Sequence, residues 1–126
     1  MDLLLDTHAF IWWNAQDPRL AAVAANAISD PGNRIVVSAA SVWEIAIKRK
    51  TGKLAFQHDV LSAIATDGFE TIDITPQHAD AAGLLPLHHA DPFDRLLVAQ
   101  ARIDHFVLVT QDRQLLPYGV PLIGVT

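Results

Sequence analysis

Leu3-Leu4-Leu5-Asp6-Thr7 is the stretch on which the fold turns. Its apolar run stops on an acid and a threonine, both good helix caps, which predicts a short buried strand over Leu3–Leu5 leading into a helix. That helix, predicted over His8–Asn14, is rich in aromatic residues. The β-branched run Arg34-Ile35-Val36-Val37-Ser38 repeats the pattern as a second strand. Before it lie an alanine-rich helix, predicted over Leu20–Ser29, and the turn Asp30-Pro31-Gly32-Asn33. After it, Ser41–Lys50 carries helical spacing, with Val42, Ile45, Ala46 and Arg49 on one face and Thr51-Gly52 as the stop.

The alternation continues to the C-terminus. A helix is predicted over His58–Thr66 and a third strand over Phe69–Ile74. Thr75-Pro76 caps a helix over Gln77–Leu84, and Leu85–Ala90 reads as a loop. Asp91-Pro92 opens a helix that runs to about Ile103. Phe106–Val109 is a fourth strand, and Leu122–Val125 an edge strand. Strands separated by helices imply an α/β fold of three layers, with a mainly parallel, roughly five-stranded sheet covered on both faces. Right-handed crossovers gather the strand C-terminal ends on one edge, where ligands of open α/β sheets bind.

Composition narrows the classes. The chain has 126 residues and no linker or repeat, which predicts a single domain over 1–126. Hydrophobic residues make up 51%, too many for a disordered chain. No cysteine is present, so disulfides, thiolate nucleophiles and cysteine zinc sites are excluded. The N-terminus is acidic where a signal peptide is basic, and no apolar run reaches the ~18 residues of a membrane span. A cytoplasmic protein without a membrane partner is expected. The net charge of −5 argues against a nonspecific nucleic-acid binder, but bound divalent metal would neutralise part of it.

Four acids fall at the same predicted sheet edge. Asp6 ends strand one, Glu44 lies in the helix after strand two, Asp94 in the first turn of the helix after the His88-His89-Ala90 loop, and Asp112 follows strand four. Two carboxylates ~5 Å apart repel by roughly 3 kcal/mol at an effective dielectric near 20. Four together must take up protons or bind a cation. Oxygen donors without thiolates favour Mg²⁺ or Mn²⁺. Water activated by such an ion can attack a phosphodiester, and a second ion ~3.5–4 Å away can stabilise the leaving oxygen. Each acid also has a plainer use. Asp6 can cap its helix, Asp91 and Asp94 suit the start of theirs, Glu44 can pair with Lys48, and Asp112 can cap Arg113–Leu116.

Other residues frame this cluster. Thr7 and Thr110 adjoin candidate ligands and can hydrogen-bond a carboxylate or a phosphate. Lys48, Arg49, Lys50 and Lys53 form the densest basic stretch, suited either to an RNA backbone or to a solvated helix end. Arg95 can pair with Asp91 or face a substrate. Of the six histidines, His88 and His89 are adjacent and point apart, and no H-E-x-x-H pattern occurs, so carboxylates rather than histidines are the expected metal ligands. Trp12 and Trp13 are consecutive and cannot both face the core; one is expected inside and the other on a partner surface. Trp43 reads as a core or interface residue.

Taken together, four segments give the chain a family likeness. They are Leu4-Leu5-Asp6-Thr7-His8, the run from Ser38 to Lys48 (SAASVWEIAIK), the run from His89 to Leu97 (HADPFDRLL), and Thr110-Gln111-Asp112. In order and spacing the chain resembles PIN-domain ribonucleases, and among them the VapC-type toxins of bacterial type II toxin–antitoxin systems. The resemblance implies a compact α/β/α fold and Mg²⁺- or Mn²⁺-dependent endoribonuclease activity that inhibits translation or growth. It implies that Asp6, Glu44, Asp94 and Asp112 form the acidic quartet. It further implies a small antitoxin that blocks the site, a homodimer, and transfer, ribosomal or messenger RNA as target. Asp91 is an additional acid, either a member of the metal site or only a cap.

Rival classes lack their own signatures. A phosphoacceptor receiver domain needs an acidic pair after strand one and a lysine near the last strand; here Thr7-His8 follows Asp6 and no lysine occurs after Lys53. A haloacid-type phosphatase needs a second aspartate where His8 stands. A catalytically inactive module binding protein or RNA is the remaining alternative, and the intact acidic set speaks against it.

Overall fold

The computed structural model describes residues 1–125. The chain runs β1 (Asp2–Leu5), α1 (Thr7–Ala15), α2 (Ala22–Ser29), β2 (Arg34–Ser38), α3 (Ala39–Lys50), α4 (Val60–Asp67), β3 (Glu70–Ile72), α5 (Pro76–Leu84), α6 (Pro92–Asp104), β4 (Val107–Val109), a 3₁₀ segment (Arg113–Tyr118) and β5 (Leu122–Ile123). The five strands form one sheet in the order β3-β2-β1-β4-β5, and every pairing is parallel.

Alternation along the strands splits the core in two. Leu3 and Leu5 of β1, with Ile35 and Val37 of β2, pack with Phe10 of α1, Ile28 of α2, Ile45 of α3 and Ile64 of α4. Leu4 and Val36 point the other way, to Leu97, Val98 and Ala101 of α6 and to Leu115 and Tyr118. Period-two side chains on a sheet buried on both faces thus give three layers. All three leucines of β1 have no exposed surface, as expected of a central strand.

The strand order also sets the position of the site. From β1 the chain moves outward through β2 to β3, then returns to the other side of β1 for β4 and β5. The order reverses at β1 and β4, and a crevice opens beyond their C-terminal ends. Leu5 is in register with Val37 and with Val109, so Asp6, Ser38 and Thr110 leave the sheet side by side. Asp6 N–H still bonds to Val109 O at 2.9 Å.

One expectation needs correction. The buried face of α3 is Ala40, Ser41, Glu44 and Ile45, whereas Ala46 and Arg49 are exposed. The apolar pattern misplaces that face because half of it is polar. Of the two readings of Trp43, the structure removes the core: the side chain is 58% exposed and meets Phe93 edge to face, ring centroids 5.3 Å apart. Trp12 and Trp13 are both half-buried and point to different places. Trp13 packs on the core near Phe69, with ring centroids 6.5 Å apart, and Trp12 turns towards the rim of the site. No helix among the described residues is long and apolar enough to cross a membrane.

Candidate active site

Asp6 is both strand exit and helix cap. Its Oδ1 accepts the Ala9 N–H at 2.7 Å, which satisfies a free donor of α1, and its Oδ2 accepts the Thr110 hydroxyl at 2.6 Å. Burial raises the Asp6 carboxyl above the ordinary carboxylate range, against the opposing pull of these two hydrogen bonds; Asp112 adds to the rise.

Glu44 reaches the same edge from α3 and is 2% exposed. Its Oε1 accepts the Thr7 hydroxyl at 2.5 Å, and Thr7 Oγ1 lies 3.0 Å from Ser41 Oγ. Its Oε2 is held by Lys48 Nζ at 2.5 Å, the i,i+4 pair that the spacing allows. Hydrogen bonding to Glu44 is the main reason the Lys48 ammonium rises above its usual range, and the charges of Asp91 and Asp94 add to it. Lys48 therefore serves the acid cluster.

Asp94 stands in the first turn of α6. Its carboxyl is pushed up to about 7, first by burial, then by the charges of Asp91, Asp6 and Glu44, with His89 pulling the other way. Asp112 caps the 3₁₀ segment through Gln114 N–H at 2.9 Å, and its own N–H bonds to Thr110 Oγ1 at 3.1 Å. Thr110 thus ties Asp6 and Asp112 together. The structure brings all four expected acids to one edge, each also carrying the plainer capping or pairing role that its local sequence suggests.

His89 joins this cluster, although the sequence sets the histidines aside. Its Nε2 lies 2.8 Å from Asp112 Oδ2 and 3.2 Å from Asp94 Oδ2. Its Nδ1 accepts the Asp91 N–H at 3.1 Å, which assigns the ring proton to Nε2, facing the acids. One ligand atom from each of His89, Asp94 and Asp112 falls within 4.8 Å of the others. His88 turns away and stacks edge to face on Tyr118. The missing signal is tertiary, because Arg95 positions this loop. Its guanidinium is buried and bonds to the carbonyls of Pro86 (3.1 Å), Leu85 (2.9 Å), Ala82 (2.8 Å) and His89 (3.3 Å).

Three remaining expectations are resolved by these contacts. Arg95 neither pairs with Asp91 nor faces a substrate; the carbonyls of the 82–89 segment turn it inward. Asp91 Oδ1 accepts Phe93 N–H at 2.8 Å and Asp94 N–H at 3.4 Å, so it caps α6 while its charge acts on Asp94. Arg49 is exposed and reaches His58 O at 3.1 Å, bracing the segment before α4.

The donor set suits a hard divalent cation. Converging carboxylate oxygens, with the Asp94 carboxyl raised first by burial and then by its acidic neighbours, are what Mg²⁺ or Mn²⁺ neutralises. Asp94, Asp112 and Asp6 would hold such an ion, with Glu44 already balanced by Lys48.

Comparison with known proteins places the chain in a family. The PIN domain profile matches residues 3–119, nearly the whole chain. The chain belongs to the PIN domain family. This PIN domain is 34% identical over 122 residues to ribonuclease VapC22 of Mycobacterium tuberculosis, covering 94% of this chain and 93% of the relative. Its fold matches VapBC2 of Rickettsia felis, solved bound to a promoter DNA fragment, with a TM-score of 0.71 and 17% identity over 97% of each chain. It also matches a toxin–antitoxin complex of Klebsiella pneumoniae, with a TM-score of 0.66 and 19% identity over 98% of this chain and 95% of the other.

Proposed function

We propose that this PIN domain is a divalent-metal-dependent endoribonuclease that hydrolyses RNA phosphodiester bonds and acts as the toxin of a toxin–antitoxin pair, slowing translation or growth. The observation that carries this reading is the convergence of carboxylates at the sheet edge: ligand atoms of Asp94 and Asp112 lie within 4.8 Å of each other and of His89, and Thr110 ties Asp112 to Asp6. Such a cluster is costly unless a cation occupies it. Bound there, Mg²⁺ or Mn²⁺ supplies charge neutralisation to the phosphate and lowers the pKa of water enough for attack.

The chain's own residues then have defined tasks. Asp6, Asp94 and Asp112 would hold the ion at the β1–β4 crevice, beside the place where a phosphate would lie. Thr110 fixes the Asp6 oxygen that is not used by the helix cap. Thr7, itself beside Ser41, orients one Glu44 oxygen, and Lys48 holds the other. Kinship with VapC22 supports RNA as substrate, and the assemblies named for the structural neighbours support a small antitoxin as partner. A single-domain cytoplasmic protein that forms homodimers completes the proposal.

The test is expression of the parent, Asp6→Asn and Asp94→Asn chains in a bacterial host, with sequencing of the RNA 5′ ends that appear. Purified parent protein should cleave the same sites with Mg²⁺ or Mn²⁺ and stop with EDTA. Both variants should lose activity by orders of magnitude while keeping their fold. Parent-like cleavage by Asp6→Asn in Mg²⁺ would end this assignment.

A further inference from the structure

A recess of about 270 Å³ opens directly onto the acid cluster, lined by Asp6, His8, Trp12, Gln111 and Asp112. We propose that it is a nucleobase subsite, in which one base of the RNA stacks against Trp12 while its phosphate meets the acids. This rests on the nuclease reading and extends it to how a nucleotide is gripped. Drug-sized pockets begin at roughly 300 Å³, so the recess suits a single planar ring system.

The walls are fixed before any ligand arrives. Arg19 lies over the Trp12 ring, 5.3 Å from its centroid, and is itself held by Asp17 at 2.7 Å. His8 packs against Trp12 with centroids 5.6 Å apart and stands exposed at the mouth. The Gln111 amide is committed twice, accepting Ala21 N–H at 2.7 Å and donating to Arg19 O at 3.0 Å. An indole locked in place keeps more of its stacking energy for a ligand, because little freedom is lost on binding. Aromatic walls are how proteins take up unpaired bases, since every base offers a π-face.

Position selects RNA over protein as the occupant. Two of the five lining residues are the acids that would hold the metal. With a divalent cation held by those acids, a ligand filling the recess meets positive charge at one end and a flat aromatic wall at the other. A nucleotide suits both. A larger recess of about 450 Å³ also touches Trp12 but contains none of the four acids.

The test measures the base separately from the phosphate. Dissociation constants in Mg²⁺ are determined by calorimetry for the four nucleoside 5′-monophosphates and for ribose 5-phosphate, with the parent, Trp12→Ala and Trp12→Phe. The parent should bind at least one nucleotide about tenfold more tightly than ribose 5-phosphate. Trp12→Ala should lose that ratio with its ribose 5-phosphate affinity unchanged, and Trp12→Phe should keep most of it. On single-stranded RNA, Trp12→Ala should raise KM about tenfold. A ratio near one in a parent that cleaves RNA overturns the subsite alone. Failure of ribose 5-phosphate to bind in Mg²⁺, with no cleavage by the parent, overturns the nuclease reading and the subsite together. A ratio that survives Trp12→Ala, with loss of a co-purifying antitoxin instead, assigns the surface to a protein partner and refutes the base.

Discussion

Replacing Asp94 by Asn should stabilise the metal-free protein at pH 8, although it removes a residue of the candidate active site. In the fold the Asp94 carboxyl is raised from its ordinary 3.8 to about 7. Above pH 7 it is ionised in both folded and unfolded chains, but only the folded chain carries the cost of burial and of three neighbouring acids. Between the two pKa values the folded state binds the extra proton, so stability falls as pH rises through that window. The whole shift corresponds to about 4 kcal/mol, a ceiling because neighbouring acids relax when one ionises. Asn removes the charge and leaves the shape. Urea unfolding in EDTA should show the parent losing stability between pH 4 and pH 7, with a much flatter profile for Asp94→Asn. At pH 8 the variant should be about 1–4 kcal/mol more stable. Saturating Mg²⁺ should stabilise the parent at pH 8 and the variant far less. An Asp94→Asn protein no more stable than the parent in EDTA at pH 8 would show that the Asp94 carboxylate does not carry the cost of burial and acidic neighbours.

Other perturbations read other parts of the structure. Arg95→Met should cost about 3 kcal/mol in urea unfolding, because it strands several buried carbonyls, and it should release the His89 loop and lower activity. Thr7→Val keeps the volume but removes the hydroxyl that bonds to buried Glu44; a loss of about 1–3 kcal/mol and reduced cleavage are expected by melting and RNA assay. Gly124→Ala places a Cβ 2.6 Å from Thr110 O at a φ of +111°, so it should destabilise the fold and disturb the Thr110 bond to Asp6, seen as a lower Tm and weaker metal binding. Leu4→Ala, in the fully buried central strand, should cost about 2–5 kcal/mol without touching the acids.

Most of the scaffold was readable because it follows from local rules. Strand one had to stop where Leu5 gives way to Asp6, and Thr75-Pro76 could only open a helix. Asp6 and Asp112 were readable for the same reason, since strand exits are local events and parallel strands align them. The buried face of α3 was not. Its inward positions include Ser41 and Glu44, and a pattern of apolar residues is blind to polar groups buried for use. Arg95 and His89 were beyond reach for a second reason. Arg95 sits where a helix start would present a surface charge, and only the folded 82–89 segment offers carbonyls to turn it inward. His89 owes its place to that loop, so nothing in the residues beside it announces its approach to Asp94 and Asp112.

Gln111 joins places far apart in the chain. Its amide grips the backbone of Arg19 and Ala21, and the next residue is Asp112. The linker between the first two helices is therefore tied to the residue beside one of the acids. Pressure applied to that linker from outside, by a bound peptide or by a one-residue deletion, would tilt Asp112 without covering it. An inhibitor of this enzyme could work at arm's length, as a lever on the linker rather than a plug in the cleft.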